Sequence, residues 1–173
     1  MSKSGLFAHF GSKEELQLAV VEAAREIFDR EVLAQAEEVQ PGLERLIHLS
    51  SAWLRYVEKG LFRGGCFFAA VAPEVDDRPG RVRDRVVALT RSWTGGLQTE
   101  AEEACRAGDL EPETDPAQLA FEIHAFVQEA NWAFQLHGDA AAFGHAARAI
   151  QRVIDAAVTG GGRELLAALP HLR

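Results

Sequence analysis

Histidine and cysteine side chains, which often serve in catalysis and metal binding, are scattered along this chain of 173 residues. No two histidines have the i, i+4 spacing that lets one helix hold a metal ion. Neither Cys66 nor Cys105 has an activating base nearby in the sequence, and no glycine-rich phosphate loop follows a strand. The pattern therefore predicts a protein that is not an enzyme, with no catalytic residues, no metal site and no cofactor.

Binding chemistry is concentrated near the amino terminus. Residues 2–13 contain Lys3 and His9 but no acid, and the first carboxylate is Glu14. Leu6 and Phe10 are four residues apart and would share one face of a short helix. A small, basic, hydroxyl-rich helix with two apolar anchors suits insertion into the DNA major groove. Ser12 then predicts an N-cap for a second helix, in which Lys13 would face a backbone phosphate.

The order of these residues resembles a known family. Residues 2–16, Ser-Lys-Ser-Gly-Leu-Phe-Ala-His-Phe-Gly-Ser-Lys-Glu-Glu-Leu, are similar to the end of the helix-turn-helix in the tetracycline-repressor (TetR) family of bacterial transcription regulators. The family usually has Tyr at the position of Phe7, so a hydroxyl contact to phosphate would be absent here. The resemblance implies DNA contacts from Ser2, Lys3, Ser4, Gly5, Phe7, His9 and Lys13.

A second resemblance lies in the middle of the chain. Residues 64–68, Gly-Gly-Cys-Phe-Phe, and residues 74–80, Glu-Val-Asp-Asp-Arg-Pro-Gly, are similar to the regulatory domain of one TetR branch. The implied organisation is a remnant of the DNA-binding helix-turn-helix at 1–13 and a ligand-binding and dimerisation domain at 14–173. The family has two further helices before the recognition helix, which are missing here. We therefore expect DNA binding by this chain to be weak or absent; a misplaced start, a truncation and a true deletion all remain open.

The rest of the chain has helical periodicity, which predicts an all-α fold. The first long helix would run from Ser12 to about Gln35 and bury Leu16, Val20, Ala23 and Ile27, with Phe28 as a further candidate. Residues 66–75 are apolar on all sides and predict a short buried helix. Pro79 is placed to open the next helix, and Asp115-Pro116 to open a later one. Asp139 would cap the last long helix, which residues 160–162, three glycines, would end.

Residues 115–138 and 139–158 predict two helices that pack antiparallel, because only a short Gly-Asp step joins them. Their apolar residues cover more than one face, so one face should remain for a partner. In TetR proteins this pair forms the interface of a homodimer. A thicker monomer core is the alternative that the pattern leaves open.

Aromatic residues on successive helices suggest a small-molecule pocket, because such pockets are mostly apolar with a few polar groups. Aromatic residues at helical spacing also form ordinary core, and the two alternatives remain open. Polar groups would come from the apolar helix at 115–138, and the effector would be a small apolar or aromatic compound. The expected ligand-binding residues are Trp53, Phe62, Phe67, Phe68, Trp93, His124, Phe126 and Asn131.

Composition supports a globular protein, with 47% hydrophobic and 25% charged residues and a net charge of −8. The sequence shows no signal peptide and no membrane span, so we expect a cytoplasmic protein. The family resemblance implies a repressor that a ligand releases from operator DNA. The alternatives are a dimeric sensor unable to bind DNA and a helical interaction module without a ligand.

Overall fold

A computed structural model describes residues 10–169 of the protein. Seven α-helices and one short 3-10 helix follow one another over this range, and its only β-type contacts are two isolated bridges. The all-α prediction is confirmed. The elements are α1 (Lys13–Glu31), a 3-10 helix (Leu33–Ala36), α2 (Leu43–Lys59), α3 (Phe67–Val75), α4 (Arg81–Ala107), α5 (Pro116–His137), α6 (Ala141–Ala157) and α7 (Gly160–Ala168).

The helix ends follow the expected local chemistry. The Ser12 hydroxyl accepts a hydrogen bond from the backbone N–H of Glu15 at 3.1 Å, which caps α1. The Asp115 carboxylate caps α5 ahead of Pro116. Glycines 60, 108 and 138 close α2, α4 and α5 in the left-handed conformation. These boundaries therefore come from short-range sequence signals.

Helix α2 lies at the centre of the molecule, because it contacts α1, the 3-10 helix, α4, α5, α6 and α7. Most of its residues are buried, including the large side chains of Trp53 and Tyr56. Its charged residues, including the exposed Arg55 and Glu58, lie on the remaining face. Each fully buried aliphatic or aromatic side chain contributes about 1.5–3 kcal/mol. The other helices take their positions around this one.

The predicted buried face of α1 is correct for Phe28 and partly for Ile27, which packs half-buried against the core, but it is wrong for Val20 and Ala23. Val21, Ala24 and Phe28 face the core, whereas Val20 is 47% exposed and Ala23 is also exposed. The helix contains adjacent apolar pairs at 20–21, 23–24 and 27–28, so two neighbouring faces have the same spacing. Periodicity alone cannot choose between them.

Three further predictions need correction. Helix α3 forms as expected but has no buried residue, because it lies on the outside of the bundle. Pro79 precedes the N-cap Gly80 and does not open α4. The glycines at 160–162 begin α7, which Thr159 caps; the last long helix already ends at Ala157. The predicted role of Asp139 is close to the structure, since its carboxylate accepts from the N–H of Ala141 at 2.9 Å.

Helices α5 and α6 form the most extensive helix–helix contact, and only residues 138–140 join them. Such a short connection makes the two helices antiparallel neighbours. Helix α5 leaves large apolar side chains in solvent on one face, where Phe121 is 68%, Leu136 62% and Trp132 53% exposed. Among the described helices, none combines the length and the apolar character needed to cross a bilayer.

Candidate ligand cavity

A cavity of about 1150 Å³ lies between α1, the 3-10 helix and helices α2 to α5. Residues from every one of these elements line it, so the bundle encloses it from several sides. Its size is somewhat above the range of about 300–1,000 Å³ that is usual for pockets of drug-sized ligands. Four of the eight predicted ligand-binding residues line it, namely Trp53, Phe68, Trp93 and His124.

The inner wall is aromatic. The Trp93 ring meets Phe28 and Trp53 edge to face, with ring centroids 5.0 and 5.1 Å apart. Phe68 packs edge to face on Phe28 at 6.2 Å, and His124 lies 5.2 Å from Trp53. Edge-to-face packing at these distances is favourable and fixes the rings. Five helices, α1 to α5, thus contribute to one aromatic surface.

The other four predicted residues lie outside this cavity. Phe62 and Phe67 pack on each other with centroids 5.5 Å apart, and Phe126 lines a separate surface cleft between α5 and α6. Asn131 is buried, and its side-chain oxygen accepts a hydrogen bond from the backbone N–H of Cys66 at 3.0 Å. Their positions favour structural roles over ligand contact.

Some lining residues have no counterpart in the sequence-based set. Phe28 of α1 is the chief example, because its ring packs against those of Tyr56, Phe68 and Trp93. Leu49 and Leu89 add aliphatic side chains to the cavity wall, and Gln128 of α5 adds a side-chain amide. Gln128 was a candidate, with His124, Glu129 and Asn131, for the polar groups expected from the apolar helix at 115–138. No comparable signal in the sequence indicates Leu49 or Leu89.

Two titratable side chains in the wall are held in their neutral forms. Burial lowers the pKa of His124 below its ordinary value. Burial likewise raises the pKa of the Cys66 thiol, although the backbone N–H groups of Ala69 and Phe68 and the Trp53 indole act in the opposite direction. The inner surface therefore carries no net charge from these groups near neutral pH.

Charged residues on α1, α2 and α4 and after the 3-10 helix also line the cavity, and the arginines among them are paired with acids. Arg25 forms an ion pair with Asp29 at 2.8 Å. Arg45 lies 3.6 Å from Glu100 and also donates to the backbone oxygen of Val39 at 2.9 Å. These pairs differ from the expected lining with few fixed charges, but the pairing leaves little net field.

Of the predicted DNA-contacting residues, Lys13 alone falls within the described part of the chain. Ser2, Lys3, Ser4, Gly5, Phe7 and His9 lie outside the described residues. Lys13 is the exposed first residue of α1. Two carboxylates that follow it, Glu14 and Glu15, pair with Arg81 of α4. Helix α1 therefore connects the predicted DNA-binding end of the chain with the cavity.

A metal site has no support in the part of the chain from 10 to 169, where no group of three or more His, Cys, Asp or Glu side chains could hold an ion. The fold and the cavity instead define an all-α domain, in which one helix runs from the cavity toward the amino terminus.

Comparison with protein families identifies this class. Residues 42–150 match the family described as tetracyclin repressor-like, C-terminal domain. The chain belongs to this family, the TetR transcriptional regulators. No curated protein matches it.

Solved structures show the same fold. A TetR transcriptional regulator from Chloroflexus aurantiacus is 26% identical, with a TM-score of 0.79 over 88% of this chain and 77% of that one. A TetR-family regulator from Cytophaga hutchinsonii is 21% identical, with a TM-score of 0.79 over 92% of this chain and 80% of that one. AibR, solved with isovaleryl coenzyme A and operator DNA, is 20% identical and has a TM-score of 0.69. The match covers 91% of this chain and 81% of that one.

Proposed function

We propose that the protein is a homodimeric, ligand-responsive transcriptional repressor. A small apolar or aromatic effector releases this repressor from operator DNA. One observation carries the proposal: α1, which begins beside the predicted DNA-contacting residues, supplies one wall of the cavity through Arg25, Phe28 and Asp29. A compound in the cavity touches the same helix that leads to the DNA end.

The mechanism follows from this placement. A dimer that places two recognition helices about one DNA turn apart, roughly 34–36 Å, reads two half-sites. An effector that favours a different position of α1 changes this spacing. It can shift the equilibrium only by the difference between its affinities for the two states.

Structural relatives support the proposal without defining the effector. AibR was solved with an acyl coenzyme A and operator DNA, which is consistent with regulators of this fold binding both kinds of ligand. The cavity of the present chain has a different chemistry from that of a phosphate site, because its arginines are already paired with carboxylates.

Gly96 provides a direct test. It lines the cavity on α4, and a Cβ at this position would meet nothing within 4 Å. Gly96→Leu should therefore fill the cavity without a clash. Gly95→Leu is the matched control, because Gly95 also has open space but does not line the cavity.

DNA binding by residues 1–173 alone is expected to be weak or absent, so the experiment uses a chain that carries the complete helix-turn-helix domain. It begins with selection of bound sequences from random duplex DNA. Compounds that weaken the selected complex are then identified by fluorescence anisotropy. We expect Gly96→Leu to bind DNA but to lose most of the response, while Gly95→Leu responds normally. An unchanged response in Gly96→Leu would contradict an effector site in this cavity. Failure to select any DNA would favour a sensor that does not bind DNA.

A further inference from the structure

His124 of α5 gives the cavity a polar group that a ligand can reach. Its side chain lines the cavity and is only half-buried. Neither ring nitrogen has a hydrogen-bond partner among residues 10–169, and neither is sealed from solvent, in contrast to the indole nitrogens of Trp53 and Trp93. Polar groups inside a protein are nearly always paired, so an unpaired imidazole in an aromatic wall needs an explanation. A ligand that pairs with the imidazole supplies one.

The Trp53 ring lies against this imidazole. The two ring centroids are 5.2 Å apart, and the ring planes are inclined by 37°. An indole ring attracts a cation that lies within about 6 Å of its centroid. Trp53 therefore favours the protonated form of His124 once another group offsets the cost of burying the charge.

The charged residues around the cavity do not provide that group. Those in the lining are Arg25, Glu26, Asp29, Arg30, Glu37, Arg45 and Glu100. From α6, which also packs against α5, the side chains of His145, Arg148 and Arg152 face a separate cleft. Burial alone lowers the pKa of His124, so none of these groups changes its protonation appreciably. The imidazole is therefore neutral at neutral pH in the absence of a ligand.

A neutral imidazole in an aromatic wall favours a carboxylic acid as its partner. A carboxylate beside His124 raises the pKa of the imidazole, because a nearby opposite charge favours the charged form. The imidazole then takes a proton from water, and the two groups form a charge-assisted hydrogen bond, about twice as strong as a neutral one. The pair has no net charge, whereas an unpaired ion would bear the full cost of leaving water. The lining arginines are already paired with acids, so His124 is the group left for a carboxylate.

We propose that the cavity binds an apolar carboxylic acid together with one proton, so that the carboxylate accepts a hydrogen bond from protonated His124 and the apolar body packs on the aromatic wall. The proton comes from the solvent, since the free acid is ionised at neutral pH. One carboxylate, one neutral imidazole and one proton thus give one carboxylate–imidazolium pair. The inference rests on the proposed effector site and adds the chemistry of its ligand.

Two acids of different shape, β-naphthoate and octanoate, serve as probes, and their uncharged amides are the counterparts. Titration calorimetry at pH 7.5 in phosphate and in Tris counts the protons taken up, because the two buffers differ in heat of ionisation. At least one acid should take up between about half and one proton, and neither amide should take up any. Its affinity should rise about threefold to tenfold from pH 7.5 to 6.5, since only the complex holds the proton in this range. No binding of either acid, or binding without proton uptake, would overturn the proposal.

A substitution locates the proton. His124→Gln keeps a hydrogen-bonding side chain that does not titrate, so it should abolish both the proton uptake and the dependence of the acid's affinity on pH. His145→Gln is the matched control, because His145 is exposed on α6 and lines the separate cleft, and it should keep both properties. Proton uptake that persists in His124→Gln would place the proton on another group and contradict the assignment.

The DNA measurement separates this inference from the proposed function. If an acid binds with proton uptake at His124 but leaves the selected DNA complex unchanged, the ligand class stands and the regulatory proposal fails. If other compounds release the DNA through the Gly96-sensitive cavity while neither acid binds, the regulatory proposal stands and the ligand class fails.

Discussion

Asn131 of α5 holds the loop before α3 by accepting a hydrogen bond from the backbone N–H of Cys66, with 3.0 Å between the two atoms. The preceding residue, Gly65, has a positive φ of 78°, and a Cβ there would lie 2.0 Å from the Asn131 oxygen. The same oxygen therefore both binds Cys66 and occupies the space that a side chain at Gly65 would need. This contact positions Cys66 and Phe68 in the cavity wall.

Gly65→Ala should destabilise the protein by about 2–5 kcal/mol. The left-handed backbone costs an alanine about 1–2 kcal/mol, and displacing Asn131 leaves a buried N–H unpaired at a further cost of about 1–3 kcal/mol. Gly64→Ala is the matched control: its φ is also positive, but the nearest atom, on Ala70, lies at an ordinary 3.4 Å. Urea unfolding of both variants measures the difference. Equal losses would show that Asn131 is not displaced.

Glu22 and Arg85 join α1 to α4 through a two-point ion pair, with 2.8 Å between Arg85 Nη2 and Glu22 Oε2. The hydrogen bonds from Arg85 lower the pKa of Glu22 below its ordinary value. Both side chains are about 40% exposed, at 37% and 41%, so solvent screens the pair. This pair lies on the helix that the proposed mechanism requires to move.

A double-mutant cycle with Glu22→Gln and Arg85→Gln should give a coupling energy of about 0.5 kcal/mol. Because the carboxyl pKa is lowered in the folded state, this stabilisation is present at neutral pH and is lost as the pH falls below about 4. High salt should reduce it. Glu103 and Arg106, which pair within α4, provide the control cycle, and only the first pair should also change the effector response.

Much of the fold could be predicted because helix ends depend on a few neighbouring residues. Ser12, Asp115 and the glycines that close α2, α4 and α5 each satisfy local backbone groups, so their roles are visible in the sequence. The buried face of α1 could not be predicted in the same way. Val20 and Val21 are equally apolar, and only packing against α2 and α4 decides which one faces inward.

The site was predictable to a smaller extent. Trp53, Trp93 and His124 share the cavity because neighbouring helices bring them together, as the aromatic pattern indicated. Phe126 is of the same residue type and stands between His124 and Gln128, yet it points to another cleft. Successive residues of an α-helix are rotated by about 100° around its axis. A small error in helix orientation therefore changes which aromatic side chain faces the cavity.

His124 should make stability depend on pH near neutrality. Burial lowers its pKa below the ordinary value near 6.5, so the unfolded chain binds more protons in this range. The contribution of neutral His124 to the free energy of unfolding is fully present above about pH 6.5. It is lost as the pH falls toward the lowered pKa of the folded state. Unfolding measured between pH 7 and 5 should show a smaller loss for His124→Gln than for the native chain. His145→Gln, on the exposed side of α6, should behave like the native chain.

The exposed face of α5 should form the contact between two copies of the chain. Phe121 and Trp132 are eleven residues apart, which is close to three helical turns, so they lie on the same face. Phe121→Gln with Trp132→Gln should raise the dissociation constant of the dimer at least tenfold, because burial of each aromatic contributes about 1.5–3 kcal/mol. Leu61→Gln removes an exposed apolar side chain outside α5 and should leave association unchanged. Sedimentation equilibrium over a range of concentrations gives the constants. A native chain that is monomeric at micromolar concentration, or a double variant that dimerises normally, would place the contact on another surface.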